Sequence, residues 1–139
     1  MEKKNVLLSI KPKFALEIIE GKKTIELRRK FPVDKVIGGV AVIYASRPLQ
    51  KIIGYAHIEN VLFLSLDKMW CQYGEQSRVE QGFFYQYYKN LTHGFAVQLI
   101  KPIQLKKQVG LQELKNDYCI TPPQSYRYLS QEILEVMLT

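Results

Sequence analysis

The sequence predicts an α+β fold, with about six mostly antiparallel strands closing into a small β-barrel and helices at its periphery. Three observations lead there. Strand-like apolar runs follow one another across short turns, as hairpin-paired strands do. Stretches with helical spacing are inserted between them at intervals. Glycines, Gly54 above all, stand inside strand patterns where a curling sheet has to bend.

The elements follow in order. Leu7, Leu8 and Ile10 form a first short apolar strand. Pro12 then suits a first helical turn, where its missing N–H has no partner to lose, and Phe14, Ala15, Ile18 and Ile19 recur at helical spacing. Gly21 ends that helix, because a left-handed residue there costs glycine no Cβ clash. Residues 24–28, TIELR, alternate as a strand does: Ile25 and Leu27 take one face, Thr24, Glu26 and Arg28 the other. Residues 31–35 read as a connector and Gly38-Gly39 as a turn. Residues 40–46 are apolar almost throughout, the pattern of a strand covered on both faces. Residues 52–62 make a longer strand, and the intervening 48–51 make the pair a hairpin.

Ser65 reads as an N-cap, opening a helix that carries Leu66, Met69, Trp70 and Tyr73 and closes at Gly74. Ser77, with Glu80 three residues on, reads as a capping box for a second helix running to about Asn90. Its Phe83, Phe84, Tyr87 and Tyr88 have the spacing of a core-packed stripe; a base-stacking surface or a protein interface is the other use of such a helix. Residues 93–100 form another strand, which ends or bulges at Pro102. Ile103, Leu105 and Val109 resume an extended pattern, and residues 111–114 form a helical turn. Residues 121–128, TPPQSYRY, are a polar, aromatic segment stiffened by two prolines, able to hold side chains at a site. Ser130 caps a last helix with Ile133, Leu134, Met137 and Leu138 on its inner side.

At 139 residues the chain is read as one domain, residues 1–139, large enough to bury about two-thirds of its unfolded surface. Twenty basic against 13 acidic residues leave a net charge of +7, which favours an anionic partner such as nucleic acid or else serves solubility. The N-terminal apolar run is too short for a signal peptide and no stretch approaches a membrane span. A cytoplasmic protein with Cys71 and Cys119 as reduced thiols is expected. Two cysteines without histidines at ligand spacing make no metal site, and no cofactor is expected.

The candidate site lies around the Glu26 face of residues 24–28. One carboxylate stands there among Lys11, Lys22, Lys23, Arg28, Arg29 and Lys30, the composition of an anion-binding hollow or of an ion network on the surface. Lys11, Lys23, Arg28 and Arg29 are candidates to hold phosphate. Glu26, beside Lys23 and Arg28, can accept from a base or act as general base while the cations stabilise a phosphorane or oxyanion. Gln124, Ser125 and Tyr126 offer an amide, a hydroxyl and a ring, which reading a base edge and stacking on its face require. They can equally lock the C-terminal helix. His57 and His93 have no spacing that marks a catalytic or metal site.

Residues 8–12 (LSIKP), 21–29 (GKKTIELRR), 42–48 (VIYASRP) and 122–129 (PPQSYRYL) together resemble ASCH domains of the PUA-like superfamily. The likeness is to the subgroup labelled predicted transcriptional regulators with a PUA-like domain, and it spans nearly the whole chain. It implies a β-barrel with a cleft beside the first helix, suited to RNA or a modified nucleoside. It also raises Thr24, Tyr44, Ser46 and Arg47 to cleft candidates. Some small members of the family are amidohydrolases that deacetylate N4-acetylcytidine, and others are ribonucleases. In the amidohydrolases a lysine of this block assists a threonine two residues beyond the block's own threonine, and a later glutamate completes the set. Transferred here, the lysine is Lys23, the nucleophile position holds Glu26, and the later glutamate is Glu75 or Glu80. A carboxylate cannot replace an activated hydroxyl in acyl transfer without forming a mixed anhydride. Binding of RNA or a nucleotide-like ligand, hydrolysis of a modified nucleoside or of RNA, and a regulatory protein contact through residues 83–88 are therefore the three expectations.

Overall fold

The computed structural model describes residues 3–139. Its elements are β1 (Asn5–Ile10), α1 (Pro12–Ile19), β2 (Ile25–Arg28), β3 (Val40–Ala45), β4 (Lys51–Ser65), α2 (Leu66–Ser77), α3 (Gln81–Tyr87), β5 (His93–Gly110), α4 (Leu111–Tyr118), β6 (Tyr126–Leu129) and α5 (Gln131–Leu138). The six strands form one sheet in the order β2-β5-β4-β3-β1-β6. All neighbours are antiparallel except β1 and β3, which run parallel. α1 and β2 fill the long crossover that a parallel pair requires. The α+β fold of about six mostly antiparallel strands is as the sequence predicts. Among the described residues, however, no backbone ladder joins β2 to β6, so the curled sheet is barrel-like and left open between these two edges.

Alternation within the strands divides the apolar side chains into three clusters. Val6, Leu8 and Ile10 of β1, Ile43 and Ala45 of β3, and Val97 and Leu99 of β5 fill the inside of the curl, covered by Ala15 and Ile18 of α1 and by Phe31 and Val36. Leu7, Val42, Tyr44, Ile52 and Val109 point the other way, against Leu114 of α4 and Leu134 and Met137 of α5. Ile25, Leu27 and Ala96 pack on Met69 of α2, on Phe84 of α3 and on Tyr88 just past its end.

The irregularities have local causes. Gly21 takes φ +80° just past α1, as a helix-ending glycine does. Gly54 lies where a Cβ would come within 2.3 Å of the Ile103 carbonyl oxygen and 2.7 Å of Ile19 Cδ1, so β5 and α1 approach β4 this closely, at a shift of register, because the position is bare. At Pro102 the strand bulges instead of ending. Ile100 faces His57 and Ile103 faces Tyr55, leaving Lys101 and Pro102 against Ala56 alone, with Lys101 at φ +53°. Three boundaries differ from the sequence reading. Gly74 does not stop α2, which continues to Ser77 and ends on left-handed Arg78. Ser77 therefore caps nothing: its hydroxyl turns back to the Gly74 carbonyl, and Glu80 occupies the N-cap position of α3. Residues 126–129 form β6 on the β1 edge, because their backbone groups find partners there.

Candidate functional site

The gap between the two sheet edges is where the polar face of β2 lies. Ile25 and Leu27 turn into the α2–α3 cluster, so Glu26 and Arg28 must turn the other way, toward β1 and the tail segment. The result is a cleft of about 630 Å³. Its floor and rims come from Ser9, Ile10 and Lys11 at the end of β1, Phe14 of α1, residue Lys23, and residues 26–30. Ser46, residues 124–126, and Val79, Phe83 and Tyr87 around α3 complete it.

Three buried charges form the floor. Arg28 Nη2 lies 2.9 Å from Glu26 Oε2, and Lys23 Nζ lies 3.8 Å from Glu26 Oε1. Lys23 is 2% exposed and donates to the Ser77 carbonyl; its ammonium also sits 5.0 Å from the Phe14 ring centroid. Burial pushes the Lys23 amine below its ordinary pKa of 10.5, with Glu26 and Glu17 pulling it back up. Arg28 crosses the open edge of the sheet. Nη2 also donates to the Ser9 carbonyl (3.1 Å), and Nη1 donates to the Ser125 carbonyl (3.2 Å) and hydroxyl (3.3 Å). One guanidinium thereby ties β2, β1 and the tail together, while its Nε–H is buried with no partner among the described residues. Ser9 reinforces the tie: its hydroxyl donates to the Pro123 carbonyl at 2.6 Å and its N–H to the Ser125 carbonyl at 3.2 Å.

The walls are aromatic. Phe83 and Tyr87 lie nearly parallel, with centroids 6.2 Å apart, and Phe14 meets Phe83 at 5.9 Å. Tyr126 also lines the cleft, packed against Phe31. The α3 stripe thus divides: Phe84 and Tyr88 are core, while Phe83, 42% exposed, and Tyr87 face the cleft. The Tyr87 hydroxyl donates to the Leu27 carbonyl, and burial pushes its pKa up.

The cleft gathers Lys11, Lys23, Glu26, Arg28, Arg29, Ser46, Gln124, Ser125 and Tyr126. It does not gather Tyr44, Arg47 or Thr24. Ile43 and Ala45 point into the curl, so Tyr44 between them is sent to the α4–α5 side, and the Arg47 charge acts on the Tyr44 phenol there. Thr24 lines a separate cavity of about 240 Å³ with Gly21, Leu99 and Pro102. Two expected phosphate ligands are otherwise engaged. Both terminal nitrogens of Arg28 are committed to protein acceptors, and Arg29 Nη1 donates to the Tyr87 (2.8 Å) and Lys89 (3.0 Å) carbonyls at the end of α3. Exposed Lys11 and Lys30 remain at the mouth. Glu75 and Glu80 are exposed and line a third hollow with Trp70 and Arg78. Among the described residues, the threonine and later glutamate that amide hydrolysis would need are therefore absent from the cleft.

Sequence reasoning missed Ser9 and Phe14 as lining residues, and gave Phe83 and Tyr87 only within a stripe read first as core and second as a stacking surface. Ser9 interrupts an apolar strand, which marks it as a polar group with a defined partner; the two faces of α3 cannot be separated without knowing which side the sheet occupies.

Comparison with known proteins decides the family. The ASCH domain profile matches residues 8–106. This chain belongs to the ASCH family. It is 30% identical over 136 residues to an ASCH domain-containing ribonuclease of Zymomonas mobilis, covering 94% of this chain and 88% of that protein. The crystal structure of ASCH from Zymomonas mobilis superposes with a TM-score of 0.88 at 28% identity, covering 94% of this chain and 91% of that one. Human THYN1, solved in complex with 5-methylcytosine-containing DNA, shares the fold at a TM-score of 0.57 and 16% identity, covering 98% and 96% of the two chains. No helix among the described residues of this ASCH protein is long and apolar enough to cross a membrane.

Proposed function

We propose that this ASCH protein binds single-stranded RNA in the cleft and cleaves its phosphodiester chain. The observation that carries the reading is the state of Glu26. Its Oε2 is held by Arg28 at 2.9 Å, while Oε1 lies 3.8 Å from the Lys23 ammonium, beyond hydrogen-bond length, on the floor of an aromatic-walled cleft. That oxygen has free lone pairs and a fixed direction. Oriented by Arg28, Glu26 takes the proton of a ribose 2′-hydroxyl as that oxygen attacks the adjacent phosphorus. The P–O5′ bond breaks, the 5′-oxygen of the next nucleotide leaves as a hydroxyl by taking a proton from water, and a 2′,3′-cyclic phosphate remains. Lys23, held by the Ser77 carbonyl, stabilises the charge that gathers on the phosphorane oxygens. Lys11 and Lys30 at the mouth draw in the backbone, and Phe83 and Tyr126 stack on bases. The relative from Zymomonas mobilis, named a ribonuclease, supports the substrate class.

Incubation of the purified protein with single-stranded RNA, and separately with N4-acetylcytidine, tests this. RNA should be cut with a cyclic-phosphate end and the acetylated nucleoside left intact. Glu26→Gln should lower turnover about 100-fold or more, the usual contribution of a general base, while binding that weakens with salt persists. Wild-type protein that binds RNA and leaves it whole would make the cleft a reader of RNA.

A further inference from the structure

We propose that Phe63 and His93 form a second base-stacking site, taking a nucleotide next to those in the cleft. The patch is built like a platform. Phe63 is 59% exposed on β4, although Val61, two residues earlier on the same strand, is 8% exposed. The Phe63 and His93 rings lie within 19° of parallel with centroids 5.2 Å apart, and Phe95 supports Phe63 at 4.8 Å. Thr92 Oγ1, 2.9 Å from His93 Nδ1, fixes the imidazole plane. An exposed aromatic pair of this kind is a surface on which an unpaired base stacks.

Strand register connects the platform to the cleft. Arg28 of β2 stands opposite Phe95 of β5, and Phe95 stands opposite Phe63 of β4. Residues directly opposite project to the same face, so Arg28, Phe95 and Phe63 share one side of the sheet. Two interstrand spacings separate the backbone at Arg28 from that at Phe63, about 10 Å. The chain leaves β2 at this end through Arg29 and Lys30, which line the cleft mouth. A phosphate leaving the cleft therefore meets Lys30, and the next base meets Phe63. Charge and aromatic faces alternating in this order match the repeat of a single strand.

This inference rests on the cleft binding RNA, and the test separates the two. Affinities are measured for 2′-O-methyl oligouridylates, which lack the attacking hydroxyl, from the dinucleotide upward in length. Wild-type affinity should rise as the strand becomes long enough to leave the cleft. Phe63→Ala should remove that rise, weakening longer oligomers by about 5- to 100-fold, the effect of losing one aromatic stack, with dinucleotide affinity unchanged. His93→Ala should remove part of it. Phe63→Trp should restore it, and the new indole should be quenched by the longer oligomers and not by the dinucleotide. An unchanged length dependence in Phe63→Ala, or an indole in Phe63→Trp that the longer oligomers leave unquenched, overturns the platform while the cleft reading stands. Wild-type protein that binds no oligomer overturns both.

Discussion

Two buried polar groups in this protein invite comparison: Asn5 on β1 and the Lys23–Glu26–Arg28 cluster on the cleft floor. Asn5 is 4% exposed, and both polar atoms of its side chain are hydrogen-bonded. Nδ2 donates to Gln131 Oε1 at 3.0 Å, and Oδ1 accepts from the Val40 N–H at 2.9 Å. It pins β1, β3 and α5 together, with a partner for each polar atom of its side chain. The charged cluster is buried as deeply, yet Arg28 Nε has no partner among the described residues and Glu26 Oε1 lies beyond hydrogen-bond length from Lys23. Burial alone does not distinguish scaffold from site. The difference lies in what the fold leaves unpaired: Glu26 Oε1 makes no hydrogen bond among the described residues and borders the cleft, whereas each polar atom of Asn5 has a partner.

The comparison is broken most forcefully at Glu26. Glu26→Ala leaves Lys23 and Arg28 as buried cations facing one another with no carboxylate between them. Removing one partner of a buried ion pair costs about 3–5 kcal/mol, and chemical denaturation should show a loss of that size. A loss below about 1 kcal/mol would mean that water already reaches the cluster and that it belongs with exposed ion pairs.

Lys23 sharpens the same contrast through pH. Its folded pKa lies below 10.5 because burial disfavours the charge. Between the folded and unfolded values the unfolded chain binds the extra proton, so stability rises with pH across that window. Below the folded pKa the cost of a buried ammonium is present in full; above about 10.5 both states are neutral and the cost is gone. Denaturation of wild type and Lys23→Met from neutral pH to about 10.5 should show this upward term in wild type alone. Subtracting the variant removes the opposite contribution of the buried tyrosines, whose pKa values are raised. A flat difference would place Lys23 in contact with solvent.

Asn5→Ala should cost about 1–3 kcal/mol, the cost of leaving the Val40 N–H without its acceptor, and should leave affinity for RNA untouched. A change in affinity would mean that the β1–α5 joint transmits to the cleft.

Which of these features the sequence discloses depends on the range over which each is determined. Alternation is local, so the split between Ile25–Leu27 and Glu26–Arg28 is legible, as is the helix that Gly21 ends. Tyr44 shows the limit. Its strand is apolar on both faces, so periodicity carries no sign of which side is the cleft; the neighbours Ile43 and Ala45 take the inside and Tyr44 is sent out. Ser77 fails for another reason. Its capping-box pattern with Glu80 is real in sequence, but α2 continues through Gly74 and uses the serine as its last residue, so tertiary packing overrides the local signal. The gathering of Lys23 and Arg28 with Gln124 and Tyr126 is an inference across about a hundred residues; it rests on the ASCH resemblance, since no local rule brings a tail segment to an early strand. The engagement of Arg28 and Arg29 with carbonyls is hidden for the same reason: a side chain's acceptors belong to whatever the fold places beside it.

The smallest effect on stability is expected at Ser9, and it probes whether the tail is part of the site or only its border. Ser9 Oγ donates to the Pro123 carbonyl at 2.6 Å. Ser9→Ala removes that bond and leaves the carbonyl in a part-buried position where water can replace the donor, so the loss should be about 0.5–1.5 kcal/mol. Arg28 still holds Ser125 by two bonds, and the Ser9 N–H still holds its carbonyl, so the tail stays docked with a looser Pro123-Gln124 joint. If Gln124 reads a base edge, that looseness should weaken RNA binding several-fold, and Gln124→Ala on top of Ser9→Ala should add little, because both act on one contact. If the two losses simply add, Ser9 steadies the wall while Gln124 acts alone. If neither change alters affinity, the tail only closes the open edge of the sheet, as Asn5 only joins β1 to α5, and recognition lies with Glu26, the aromatic wall of α3 and the lysines at the mouth.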